Sequence, residues 1–316
     1  MELLDLSSFV VVAEELHFRR AAERLHISQP PLSQRIRALE RELGTVLFVR
    51  TTRRVELTES GRVFLDHARG VLEAVASAGR AAKLAQAGEI GRVELGYLHS
   101  TSYTLLPAIL KACRTHLPGI EIRLHELAVD SQIDALLDGP VDLALARLPI
   151  NHPRVDTSIL IEEPMVLALP SGHPLTSLAR VPLRRLVNDR IIGYPPGGEG
   201  TLHEIVAGMF ARVRLRPRFQ HVAGTLHTAL GLVRAGEGVA IVPRSLQVVR
   251  LQGVEYRPIS AGSGRACVGF AWRTDRRSPA VTAVINLTTR AARIAGAEVG
   301  LRRVRSPLRR PAPIAR

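Results

Sequence analysis

Cysteine is almost missing: two residues, Cys113 and Cys267, in a chain of 316. They lie far apart, without a CxxC partner, in the apolar stretches LPAILKACRTHLP and ACVGFAW. This excludes a disulfide framework and suits buried thiols in a reducing compartment. No apolar run is long enough to span a membrane. The start, MELLDLSSFVVVAEEL, carries acids where a signal peptide carries bases, so a cytoplasmic location is expected. The usual catalytic signatures are also missing. There is no GxSxG, no HExxH and no GxxxxGKS/T, and PPGGEG at 195–200 lacks the lysine of a phosphate loop. The 11 histidines are scattered. His221 and His227 do not combine with other ligands at metal spacing, so surface or core positions are expected for them. The low aromatic share, 4%, excludes nothing about a ligand. No catalytic residue, metal site or cofactor follows from these patterns.

What the chain has is positive charge, +14 in all with a pI near 11.2, which brings an acidic partner into view. The excess is spread out: +2 over residues 1–88, +6 over 89–301 and +6 over 302–316. Within residues 19–62 the balance is +5, so the first segment holds a local basic face offset by acids on either side.

Residues 4 to 57 read as three helices and a hairpin. LDLSSFVVVAEE gives the first helix, RRAAERL the second, and SQPPLSQRIRALERELG the third, closed by Gly44. FVRTTRRVELTESG then forms a two-stranded wing with Arg50, Arg53 and Arg54 at its tip. A proline-free stretch follows, where Phe64, Ala68, Val71, Val75, Ala78, Ala82 and Ala85 recur at alternating spacings of four and three. That is a heptad seam, which calls for a partner helix, the alternative being a long amphipathic helix packed on its own domain. Beyond Gly91 strands alternate with helices. RVELGYL, IEIRLHEL and VDLALARL are separated by helical segments, and EEPMVLALP, RIIGYP, RFQHVA and GVAIVP form a second set. VEYRPI, ACVGFAW and a last helix from Ser278 close the region. Such alternation predicts parallel sheet built from βαβ units, here in two lobes with a ligand cleft between them. The tail RRVRSPLRRPAPIAR has no apolar periodicity and reads as disordered, either an inert extension or an arm that touches nucleic acid.

Two prolines at the front of the third helix mark its start. Ser28 is placed to cap it by accepting an amide hydrogen bond. Pro30 and Pro31 fall in the first turn, where N–H groups have no intrahelical partner. Leu32, Ile36 and Leu39 face the preceding helix and its Ala21, Ala22 and Leu25. That leaves Gln29, Pro30, Ser33, Gln34 and Arg37 outward. Glutamine and arginine pair with base edges in the major groove, and a proline ring fits a thymine methyl. This is the disposition of a helix-turn-helix recognition helix. Arg53 and Arg54 on the wing suit phosphate or the minor groove.

EELHFRRAAERLHISQPPLSQRIRALERELGTVLFVRTTRRVELTESG closely resembles the winged helix-turn-helix of LysR-type transcriptional regulators, in particular the branch responding to aromatic-catabolism metabolites. GYLHSTSYTLLPAILKACRTHLPGIEIRLHEL, GPVDLALARLP and LVRAGEGVAIVP resemble that family's effector domain. The resemblance covers roughly residues 2–295. It implies an α/β fold class with a DNA-binding domain at 1–58, a linker and dimerisation helix at 59–89, and an effector domain at 90–300. That domain is similar to type 2 periplasmic-binding proteins, with lobe I at about 90–161 and 266–300 and lobe II at about 162–265; a basic tail follows at 301–316. It implies base contacts from Gln29, Pro30, Ser33 and Gln34 and a minor-groove contact from Arg53; many members carry arginine where Gln34 stands. It further implies a homodimer through the linker helix, a homotetramer, double-stranded operator DNA with an interrupted inverted repeat, RNA polymerase as a possible partner, and no membrane. The effector cleft is implied to be lined by His99, Ser100, Thr101, Ser102, Ala128, Val129, Arg147 and Thr225. Hydroxyls and free N–H groups at a helix start suit the carboxylate of a small organic acid. Read without the family, Ser100 to Ser102 and Thr225 are plain helix caps.

Two other classes fit parts of the chain. A transporter's solute-binding protein would share the α/β region but needs export. An enzyme with an appended regulatory domain needs converging acid, base or nucleophile residues, which the sequence does not offer. A regulator instead predicts salt-dependent, sequence-specific DNA binding.

Overall fold

Phe9 is fully buried at the centre of the N-terminal unit, its ring 5.2 Å from that of Phe48 and 4.9 Å from that of Phe64. Burial of one such side chain stabilises by about 2–3 kcal/mol. The computed structural model describes residues 1–51, 54–128, 131–196, 201–260 and 264–298, with the backbone alone for 290–298. It divides into two units, 1–84 and the residues from 85 onward.

In the first unit α1 (Leu3–Glu15), α2 (Phe18–Arg24) and α3 (Gln29–Leu43) pack through Leu6, Phe9, Ala21, Ala22, Leu32, Ile36 and Leu39. The spacing expected for α3 is the one observed, and Gly44 ends it in the left-handed region at φ 65°. The turn into α3 passes through His26 at φ 54°, with the Ile27 amide donating to the Ala22 carbonyl. Strands β1 (Phe48–Arg50) and β2 (Val55–Leu57) pair antiparallel as the wing. Helix α4 (Glu59–Ala87) begins where the Gly61 amide donates to Thr58 Oγ1.

The heptad seam divides along α4. Phe64 and Ala68 belong to the core of the first unit. Val71 and Val75 are 44% and 46% exposed, and Ala78, Ala82 and Ala85 are exposed as well. The seam thus serves the helix's own domain in its first turns and lies bare thereafter.

Among its described residues the second unit holds a mixed sheet of nine strands. Strand β3 (Ile90–Tyr97) leads through α5 (Leu105–His116) to β4 (Gly119–Glu126), then through α6 (Gln132–Leu137) to β5 (Leu143–Leu148), with β4 and β5 both parallel to β3. Strand β6 (Val155–Pro170) follows. After it come β7 (Arg190–Gly193), α7 (Leu202–Arg212), β8 (Arg218–Val222), α8 (Leu226–Arg234) and β9 (Val239–Pro243), with β8 and β9 parallel to β7. Strands β10 (Val254–Pro258) and β11 (Arg265–Arg273) and helix α9 (Pro279–Glu298) complete the unit. The expected parallel βαβ pairs are therefore present in both halves, whereas β6, β10 and β11 pair antiparallel.

Strand β6 is longer than EEPMVLALP suggests, because Val155 to Ile161 are also extended. Its first part pairs with β11 and its second with β9 and β10. It crosses between two lobes with separate cores, one drawn from Met165 to Ala266 and one centred on Val93, Leu143, Phe270 and Val284. At the irregularity between Val268 and Gly269 the strands approach so closely that a Cβ on Gly269 would collide with the Ser158 carbonyl. Glycine is required there by contact with a neighbouring backbone.

Candidate functional sites

On α3 the residues facing away from the core are the ones expected. Gln29, Pro30, Gln34 and Arg37 are exposed and Ser33 is half-buried, while Leu32, Ile36 and Leu39 are fully inside. Ser28 holds the N-cap position with extended backbone, yet its side chain makes no capping bond. This corrects the sequence expectation. A capping hydroxyl accepts from the second or third amide of the helix, and both positions are proline, Pro30 and Pro31, so there is no N–H to accept.

The wing differs from expectation at one arginine. Arg50 is not at the tip; it stands in β1 opposite Val55. Its Nη2 is 2.7 Å from Glu40 Oε2 and its guanidinium lies 4.8 Å from the Phe18 ring centroid. Glu40 also accepts the amides of Leu47 and Phe48. Arg50 therefore ties wing to helix. Arg54 is 80% exposed, with a long 3.8 Å approach to Glu56. Arg53 lies outside the described residues.

In the second unit a cavity of about 530 Å³ opens between the lobes, a volume suited to a small metabolite. The first lobe contributes Leu98, His99, Ser100, Glu126, Leu127, Ala128 and Arg147, and the second Tyr194, Pro195, Thr201, Leu202, Gly224, Thr225, Leu226 and His227. Of the residues expected at an effector cleft, His99, Ser100, Ala128, Arg147 and Thr225 lie in the wall of this cavity. Thr101 and Ser102 do not line it. Their hydroxyls donate back to the carbonyls of Leu98 and His99, both at 2.6 Å, and close the turn after β3. Val129 and the tail 301–316 lie outside the described residues.

Arg147 projects from β5, is 7% exposed, and leaves Nη1 without a hydrogen-bond partner. Burial lowers its pKa, while Glu163 draws it back up; an arginine keeps its charge across any ordinary pH. Glu163, on β6, accepts from the Ser245 amide at 2.6 Å and its hydroxyl at 2.9 Å. Burial raises the Glu163 pKa, opposed by those two bonds and by Arg147. Thr225 caps α8 by accepting from the Thr228 amide at 3.1 Å, so it serves as cap and cavity wall together. The next two amides belong to the first turn, where the helix has no intrahelical acceptors and its dipole favours an anion.

Sequence reasoning missed Glu126, Tyr194, Thr201 and His227. His227 had been expected as a plain surface or core residue. Its place two residues after the capping Thr225 was the available signal, since a helix start at a cleft presents its first-turn side chains to the opening. Among the described residues no group of three potential ligands can hold a metal, and no helix is long and apolar enough to cross a membrane.

A polar recognition helix with its wing, in a chain that also holds a two-lobed α/β unit around an arginine-floored cavity, is the build of a ligand-responsive transcription regulator. Comparison with known proteins bears this out. Residues 3–62 match the lysR family of bacterial regulatory helix-turn-helix proteins, and residues 86–293 match the LysR substrate binding domain. The regulator AlsR of Bacillus subtilis is 35% identical over 91% of this chain and 95% of its own length. CatR of Pseudomonas putida is 37% identical over 81% and 87%. The crystal structure of full-length CbnR complexed with its target DNA aligns at a TM-score of 0.80 with 28% identity, covering 92% of this chain and all of that one. The chain belongs to the LysR family of DNA-binding transcriptional regulators, which act by binding operators and small-molecule effectors and not by catalysis.

Proposed function

We propose that this regulator reads operator DNA with Gln29, Pro30, Ser33, Gln34 and Arg37 and anchors its wing through Arg53 and Arg54. We further propose that a small organic acid in the interlobe cavity sets its activity. The observation that carries the acid is Arg147, a buried cation with an unpartnered nitrogen in the cavity wall. Glu163 offsets part of the charge from nearby, but a buried guanidinium nitrogen left without a bond is still costly, and a carboxylate supplies that partner with charge-assisted bonds. The first-turn amides of α8 add to the same preference.

The bare length of the heptad seam, Val71 to Ala85, supports a homodimer through α4, with dimers joining into a homotetramer. A two-fold dimer matches an interrupted inverted repeat in the operator. Effector control then requires two quaternary arrangements of different effector affinity, which bend or hold DNA differently.

The test is operator footprinting with and without candidate acids, on wild type and Arg147→Met. The expected result is a footprint whose extent changes with the acid in wild type and is fixed in the variant, with DNA affinity retained. An acid response that survives in Arg147→Met contradicts the assignment.

A further inference from the structure

Two polar atoms of the described side chains are buried with no hydrogen-bond partner, Nη1 of Arg147 and Nε2 of His227. Both side chains line the interlobe cavity, Arg147 from β5 in one lobe and His227 from the first turn of α8 in the other. Buried polar atoms are otherwise almost always paired, so two of them on side chains that line one cavity call for polar partners there. The lining also includes the carbon side chains of Leu98, Leu127, Leu202 and Leu226. We propose that the effector is a monocarboxylic acid bearing a second, uncharged hydroxyl, with the carboxylate on Arg147 and the hydroxyl on His227. This rests on the acid-binding reading given above and adds the second group, its charge and the residue that selects it.

The surroundings of His227 decide against a second carboxylate. The His99 ring stands against the His227 ring at 4.3 Å, and His99 Nδ1 is 2.8 Å from Glu126 Oε1. Glu126, which also takes a 3.3 Å bond from the Tyr97 hydroxyl, lines the same cavity. This end of the site therefore carries a carboxylate of its own. Burial, and then the neighbouring His99, push the His227 pKa below its ordinary value, with Glu126 acting the other way. A neutral imidazole gives a second carboxylate no cation, and Glu126 repels it. A hydroxyl both donates and accepts, so it pairs with Nε2 in either tautomer.

The experiment is calorimetric titration of the full-length protein with two matched sets of acids: benzoate, 4-hydroxybenzoate and terephthalate, and hexanoate, 6-hydroxyhexanoate and adipate. Wild type, His227→Leu and Arg147→Met are compared, with thermal melting to show that each is folded. In at least one set the hydroxy acid binds wild type about tenfold more tightly than the parent acid, the worth of one good hydrogen bond. His227→Leu abolishes that advantage while still binding the parent acid, and the diacid gains nothing over the parent. A diacid that binds tightest, or a hydroxyl advantage that persists in His227→Leu, overturns the assignment and leaves the acid site standing. If no acid of either set binds wild type, or Arg147→Met binds them as wild type does, the acid reading itself fails and this proposal fails with it.

Discussion

The imidazoles of His99 and His227 meet edge to face, centroids 4.3 Å apart and planes at 86°, and so join the turn after β3 in one lobe to the head of α8 in the other. Burial lowers the His227 pKa from its ordinary 6.5. The unfolded chain therefore takes up this proton first as pH falls, and the unfolded state is favoured. The contribution is intact above about 6.5 and is lost as pH falls toward the lower folded value. Melting of wild type and His227→Gln from about pH 7.5 to about pH 5.5 checks it. Wild type is expected to lose Tm more steeply on acidification than the variant; parallel curves would contradict the shift.

Ser28 stands at a helix start and contributes no cap bond. Replacing an N-cap serine by alanine ordinarily costs about 1 kcal/mol. Because Pro30 and Pro31 remove the amides it would accept from, Ser28→Ala is expected to cost under about 0.5 kcal/mol, read by denaturant unfolding. A loss near the ordinary value would mean that the hydroxyl bonds in solution in a way this structure does not have.

Arg50 and Arg54 sit in the same wing and predict opposite phenotypes. Arg50→Ala strands Glu40 beneath β1 and is expected to lower stability by about 2 kcal/mol. Arg54→Ala is expected to leave stability unchanged, weaken binding to all DNA sequences alike and reduce the salt slope by about one. Melting curves and anisotropy titrations across salt separate the two; a shared DNA defect without loss of stability in Arg50→Ala would contradict its structural role.

Val75 lies in the bare part of the seam, past the turns that Phe64 and Ala68 spend on the domain core. A glutamate there costs nothing in an isolated helix and is severe in a packed seam. Val75→Glu is expected to shift the sedimentation of the protein to smaller species with its helix content retained. Unchanged assembly would remove α4 as the dimer interface.

How much of this was legible beforehand varied with the physics of each element. The recognition helix was readable because its apolar residues keep strict helical spacing and its prolines tolerate only a first turn. Strands dominated by β-branched runs, such as Val239 to Pro243, were equally plain. The start of β6 was hidden, since Asp156, Thr157 and Ser158 give no apolar signal and their extension comes from pairing with β11. The same limit applied to the site. Arg147 and Thr225 were placed at a cleft by the family resemblance and not by their own residue types, whereas the place of His227 depends on two lobes meeting; the failed cap at Ser28 was readable, since Pro30 and Pro31 already stood in the first turn without amides to offer.

The central claim is sequence-specific operator binding through α3. The most direct test is selection of genomic fragments by the purified protein, with the winning site retested by anisotropy for wild type and Gln29→Ala. The account predicts a shared interrupted inverted repeat, a loss of about 1–3 kcal/mol on that site in the variant and no change on random DNA. No enriched sequence, with binding that follows ionic strength alone, would contradict it.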